Sequence, residues 1–179
     1  MSSTCMVLVQ LILFLYLVGE IGSKVEFTNI KCTSLDKEFD NFEYCHLKSV
    51  NRSYKYLSVK VNLYKIPITK VKVNIALLKR YSGYKPFLYN VTVDACKFLG
   101  NRKSSPVFAY LHDLFRNHSN MNHTCPFDHD LVVDKVSIGF INKQFTEVLP
   151  FPHGDYQFES NWFAYGINRA VVNVYFSLF

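Results

Sequence analysis

At 179 residues, 49% apolar and 16% aromatic, the chain is long enough for one packed core and too apolar for a disordered segment. Its formal net charge of +6 rises by one if the N-terminal segment carrying Glu20 is removed. In an exported protein, such a basic excess points away from nucleic acid and towards anionic lipid, acidic glycan or an acidic protein partner.

The first element in chain order is an apolar run from Met6 to Val18, uncharged and too short to span a bilayer. It leads into the small-residue stretch Gly19 to Ser23, so residues 1–23 are expected to be a signal peptide cut after Ser23, although no Lys or Arg precedes the run. Residues 24–179 then form a single domain. With Cys5 removed, Cys32, Cys45, Cys96 and Cys125 remain, an even number that implies two disulfides in an oxidising compartment. Three pairings are possible. Cys32 with Cys45 and Cys96 with Cys125 is the pairing that closes the smallest loops.

Strands are expected at Val25 to Lys31 and Phe39 to Val50. The clearest alternation follows: Leu57, Val59, Val61 and Leu63 face one way between Ser58, Lys60 and Asn62. Val71, Val73, Ile75 and Leu77 repeat the pattern, and beyond the Ser82-Gly83 turn Phe87, Tyr89, Val91 and Val93 do so again. One helical pattern interrupts the series. Ser105 caps Pro106 at a first helical position, and Val107, Tyr110, Leu111, Leu114 and Phe115 recur at helical spacing until Asn117. Strands resume at Val132 to Ile141, Tyr156 to Tyr165 and Arg169 to Leu178. Strand following strand without crossover helices describes a mainly β protein, an antiparallel sandwich with one short helical insertion.

Four Asn-x-Ser/Thr sequons stand at Asn51, Asn90, Asn117 and Asn122, and mark the chain as a secreted, extracellular glycoprotein. Asn90 and Thr92 fall on the outward face of their strand, where a glycan has room. Catalytic motifs are not found: the sequence has no Gly-x-Ser-x-Gly elbow, no His-Glu-x-x-His and no phosphate-cradling glycine loop, and the chain reads as a non-enzyme without cofactor. His118, His123, Cys125, His129 and Asp130 supply zinc-type donors within a short stretch, but their spacing matches no common ligand pattern and Cys125 is of more use in a disulfide, so no metal is expected. Lys60, Lys65, Lys70, Lys72, Lys79, Arg80 and Lys85 form a basic series suited to an anionic head group, or to keeping a sheet soluble.

The inward apolar side chains are numerous. Phe27, Val59, Val61, Val73, Ile75, Phe87, Tyr89, Val91, Phe140, Phe158, Trp162, Val174 and Phe176 can fill a closed core or line a cavity between parted sheets. Periodicity does not distinguish the two. In the cavity case Val61, Ile75, Tyr89, Phe158 and Phe176 are the residues expected to border the ligand.

Several motifs carry a resemblance. They are Phe27-Thr28-Asn29-Ile30-Lys31-Cys32, Asn51-Arg52-Ser53, Gly83-Tyr84-Lys85-Pro86-Phe87-Leu88-Tyr89-Asn90, Asp94-Ala95-Cys96-Lys97-Phe98-Leu99, Asn122-His123-Thr124-Cys125-Pro126, Leu149-Pro150, Pro152-His153-Gly154-Asp155-Tyr156 and Arg169-Ala170. Together they resemble a large insect family of small secreted proteins of unknown function, similar to the ML lipid-recognition superfamily and to insect chemosensory B proteins. The resemblance implies an immunoglobulin-like, ML-like sandwich whose sheets splay around a lipid, and it brings no catalytic residues with it. The expectation is therefore a small lipid-like apolar or amphipathic ligand bound between two sheets, in chemosensory or extracellular signalling. The alternative is an extracellular interaction protein with a filled core, acting on a membrane receptor or channel through its basic face.

Overall fold

The computed structural model describes residues 24–51, 54–148 and 151–179, the side chains of 144–148 excepted. The expected signal peptide, residues 1–23, lies outside the described residues. Among the described residues, eight strands form two antiparallel sheets. The larger is ordered β1 (Val25–Ser34), β8 (Ile167–Leu178), β7 (Gly154–Ala164), β4 (Val71–Arg80), β5 (Tyr84–Asp94). The smaller is ordered β2 (Asp40–Ser49), β3 (Lys55–Leu63), β6 (Leu131–Ser137). The chain is thus mainly β, an antiparallel two-sheet sandwich with a few short helices.

Alternation sets the register. Val73, Ile75 and Leu77 of β4 are buried while Lys72 is exposed, and on β5 Leu88, Asn90 and Thr92 are exposed between half-buried Phe87, Tyr89, Val91 and Val93. Asn90 stands on the wet face, its Oδ1 accepting from Asn74 Nδ2 at 2.9 Å. The β7–β8 hairpin turns on two residues, Tyr165 and Gly166, at φ of 53° and 81°. Two consecutive positive φ values match the right-handed twist of the flanking strands, and glycine takes the second position without steric cost.

The two long sides of the sandwich are closed differently. β1 and β2 lie in different sheets, and the disulfide between Cys32 and Cys45 ties them with a Cα–Cα distance of 6.1 Å. On the opposite side the chain must pass from β5, an edge of the larger sheet, to β6, an edge of the smaller one. Residues 95–130 make that passage. They carry α1 (Ala95–Gly100) and α2 (Pro106–Asp113), and the second disulfide, Cys96 to Cys125, draws the beginning of the passage to its end at a Cα–Cα distance of 5.3 Å.

Three apolar clusters frame the interior. At one end Val25, Phe27, Leu57, Val136, Tyr156 and Phe176 pack with Ile138 and Ile141 of α3 (Ile138–Val148). At the other end Phe39, Ile68, Met121, Phe127 and Ala164 pack together, and Phe98 and Phe108 hold α1 and α2 against Val73 and Ile75.

Three expectations need correction. The strand expected from Val132 to Ile141 stops at Ser137, whose Oγ accepts from Phe140 N at 3.3 Å in the manner of a helix N-cap. Phe140 therefore belongs to α3, against the His118 ring, and not to a sheet. The helix expected to run to Asn117 ends at Asp113, and Ser105, although at its N-cap position before Pro106, makes no side-chain capping bond.

Candidate ligand-binding cavity

Between the sheets lies a cavity of about 540 Å³. Its wall follows from strand periodicity: every second residue of a strand faces the opposite sheet, and here nearly all of those residues are apolar. Leu57, Val59, Val61 and Leu63 come from β3, Val71, Val73, Ile75 and Leu77 from β4, and Ala170, Val172, Val174 and Phe176 from β8. β7 contributes Phe158, Ser160, Trp162 and Ala164, while Phe108, Leu111 and Phe115 come from the 95–130 passage. Several of these inward side chains, among them Val61, Leu63, Val133, Phe158, Val172 and Val174, are only half-buried. Close packing of two sheets would cover such residues, so the surface they show is cavity wall. Pro106 and Val107 of α2 are exposed and also line the cavity, which places an opening beside that helix.

All five residues expected to border a ligand, Val61, Ile75, Tyr89, Phe158 and Phe176, lie on this wall. Phe87 instead packs edge-on against Phe151 and Tyr156 at the closed end. Val91 and Phe140 are likewise not wall residues. None of the basic series lines the cavity: Lys60 pairs with Glu43 at 2.6 Å, Lys79 lies over the rings of Tyr81, Phe87 and Tyr156, and Arg80 sits 3.6 Å from Asp155. The stretch read as a set of zinc-type donors is differently employed. Cys125 is in its disulfide, His118 Nδ1 lies 3.1 Å from Asp134 O, and His123 and His129 meet through their Nε2 atoms at 2.8 Å. Of the sequon residues, Asn51, Asn90, Asn117 and Asn122 are all exposed.

The sequence reading missed the polar residues of the wall. Asp40, the first residue of β2, is 3% exposed and its Oδ1 has no hydrogen-bond partner. Burial, aided by neighbouring Asp36, pushes its carboxyl up to about 6. Arg169, the basic wall residue nearby, ion-pairs with Asp36 and stacks 4.3 Å over the Phe39 ring. His112 of α2 is 5% exposed, its Nε2 lies 3.2 Å from Met121 O, and its Nδ1 has no partner. Burial holds this imidazole below its ordinary value. A lone Asp at the start of a strand and a lone His inside a helical pattern carry no spacing signal, so alternation gave no means of finding them.

Asp40 sets a pH dependence of stability. Its folded value lies above the ordinary 3.8, so the native state keeps a proton that the unfolded chain has released. Stability contributed at this site is present below about pH 4 and is lost as pH rises through about 6. Relative to the native chain, Asp40→Asn should therefore gain on the order of 2 kcal/mol between about pH 4 and about pH 7. Urea unfolding of both proteins across that range checks this, and parallel curves would contradict it.

Comparison with known proteins adds one family. Residues 73–158 match the model of DUF1091, described as a protein of unknown function. That stretch runs from β4 through the passage into β7. Among solved structures, a Niemann-Pick type C2 protein from the Japanese carpenter ant aligns over 88% of this chain and 94% of its own, at 16% identity and a TM-score of 0.32. No curated protein matches the chain.

Proposed function

We propose that this chain is a secreted, non-enzymatic glycoprotein of residues 24–179 that carries a small apolar or amphipathic, lipid-like ligand between its sheets, in chemosensory or other extracellular signalling. The cavity carries this reading: its volume falls within the range of small-molecule sites, and its wall is nearly all hydrocarbon. Transfer of a lipid chain into it removes apolar area from water at about 25 cal/mol per Å². The alternating exposed face supports the glycoprotein part of the reading, because Asn90 is on it. Two disulfides suit an oxidising compartment. Among the described residues no helix is long and apolar enough to cross a membrane.

Val61→Phe tests the proposal. Val61 lies two residues from the end of β3, half-buried on the wall, with Phe42 and Leu131 as its cross-strand neighbours. A phenyl ring there projects into the cavity. Affinity for a neutral apolar fluorophore should fall by about tenfold, or about 1.4 kcal/mol, with the melting temperature nearly unchanged. In a filled core the same change overpacks by roughly 1–3 kcal/mol. A clear drop in melting temperature, with no fluorophore uptake by the native chain, would leave the interaction-protein reading in its place.

A further inference from the structure

We propose that one end of the sandwich is a docking surface for a lipid bilayer bearing acidic head groups, entered by the exposed apolar side chains of three chain connections and met at its phosphates by their lysines. This goes beyond cargo binding and does not depend on it. β1, β3 and β7 finish at this end, and β2, β4 and β8 start there, so the topology gathers the connections 35–39, 64–70 and 165–166. Hydrogen bonds join all three. Tyr64 N donates to Phe39 O at 2.9 Å, and Leu35 N donates to Arg169 O at 2.7 Å, close behind the 165–166 turn. Tyr165 Oη donates to Pro67 O at 3.1 Å and accepts from Thr69 N at 3.2 Å.

These connections show apolar surface to solvent. Leu35, Tyr64, Ile66, Tyr165 and Ile167, the last just beyond the turn, are each about half exposed. Scattered apolar side chains are ordinary, but a group of them on adjoining connections leaves apolar area in water and marks a contact surface. Tyr165 stands at φ of 53°, where asparagine or glycine meets less steric cost. Its hydroxyl ties down the 64–70 connection, so the group is held in place before any contact.

Charge chooses the partner. Lys37, Lys65 and Lys70 lie exposed on the same connections, and none of them is in an ion pair among the described residues. Of the acidic residues there, Asp36 is paired with Arg169, and Glu38 alone opposes the lysines. At a bilayer, leucine and isoleucine enter the acyl boundary, tyrosine settles among the head groups and lysine meets phosphate. That layering fits this end. A protein partner fits it less well, because lysine is depleted from protein contact surfaces.

Flotation of the full disulfide-bonded glycoprotein with vesicles of phosphatidylcholine, alone or mixed with phosphatidylglycerol, tests this. The native protein should float with the mixed vesicles, and less so as salt screens the lysines. Ile66→Ser together with Ile167→Ser should lower vesicle affinity at least about tenfold, by the apolar area withheld from the bilayer. Each of Lys37→Ala, Lys65→Ala and Lys70→Ala should lower it about fivefold, on the acidic vesicles only. Leu88 is as exposed but lies on the outer face of β5, so Leu88→Ser should change nothing. No flotation of the native protein overturns the inference, as does a loss from Leu88→Ser equal to that from the isoleucine pair. Self-association that the isoleucine pair abolishes, without flotation, overturns it too and assigns this end to a second copy of the chain. Uptake of an apolar fluorophore by the same samples judges the cavity separately. The native result decides even if a variant does not fold.

Discussion

Tyr156→Ala should destabilise the fold by about 4 kcal/mol, the scale of removing a large aromatic from a packed core. Tyr156 is fully buried on β7. Its ring stacks on Phe176 of the neighbouring strand at 5.5 Å and 14°, and meets Phe87 and Phe151 at 5.6 and 6.1 Å. Its hydroxyl donates to the Pro152 carbonyl, and Lys79 lies over its face. Truncation empties the centre of the closed end and orphans that carbonyl. Tyr156→Phe keeps the packing and should cost only about 1 kcal/mol, the hydrogen bond alone. Denaturant unfolding separates the two. Near-equal costs would mean that ring packing is not what holds this end closed.

The second large effect concerns the passage between the sheets. Cys96 and Cys125 are separated by 29 residues, and cross-linking a loop of that length lowers the entropy of the unfolded chain by roughly 3–4 kcal/mol. The double replacement Cys96→Ser and Cys125→Ser should lose that stability. It should also weaken ligand uptake more than the Cys32 and Cys45 pair of replacements does, because Phe108, Leu111, Phe115 and Phe127 of the passage are wall residues. Equal loss of uptake from both double variants, at matched stability, would mean that the passage does not shape the site.

Much of this architecture was readable from residue order. Strict alternation in β3, β4, β5 and β8 gave strand identity and face together, because a one-residue slip would have turned an apolar row to water. The same alternation gave the cavity wall, including Val61, Ile75 and Phe176, since whatever faces inward borders any space between the sheets. Helices α1 and α3 were not readable. Each begins directly where a strand ends, so Asp94 and Ser137 looked like the outward residues of strands, although each accepts a backbone N–H three residues on: Asp94 Oδ1 from Lys97 at 3.0 Å and Ser137 Oγ from Phe140. Spacing hid them further. Ile138 and Ile141 fit a helix face, but Val136, Ile138 and Phe140 also extend a strand pattern. Asp40, His112 and Arg169 were invisible for a different reason: a polar residue becomes a cavity group through burial, and burial depends on contacts between distant strands such as Asp40 with Leu63 of β3.

Native mass spectrometry of the protein secreted by cultured cells tests the central claim most directly, since cargo, glycan and oligomer appear in one spectrum. The account predicts a glycosylated chain lacking residues 1–23, with two disulfides and an added mass that organic extraction releases as a lipid-like molecule. A bare glycoprotein that takes up no apolar ligand when one is supplied would contradict it.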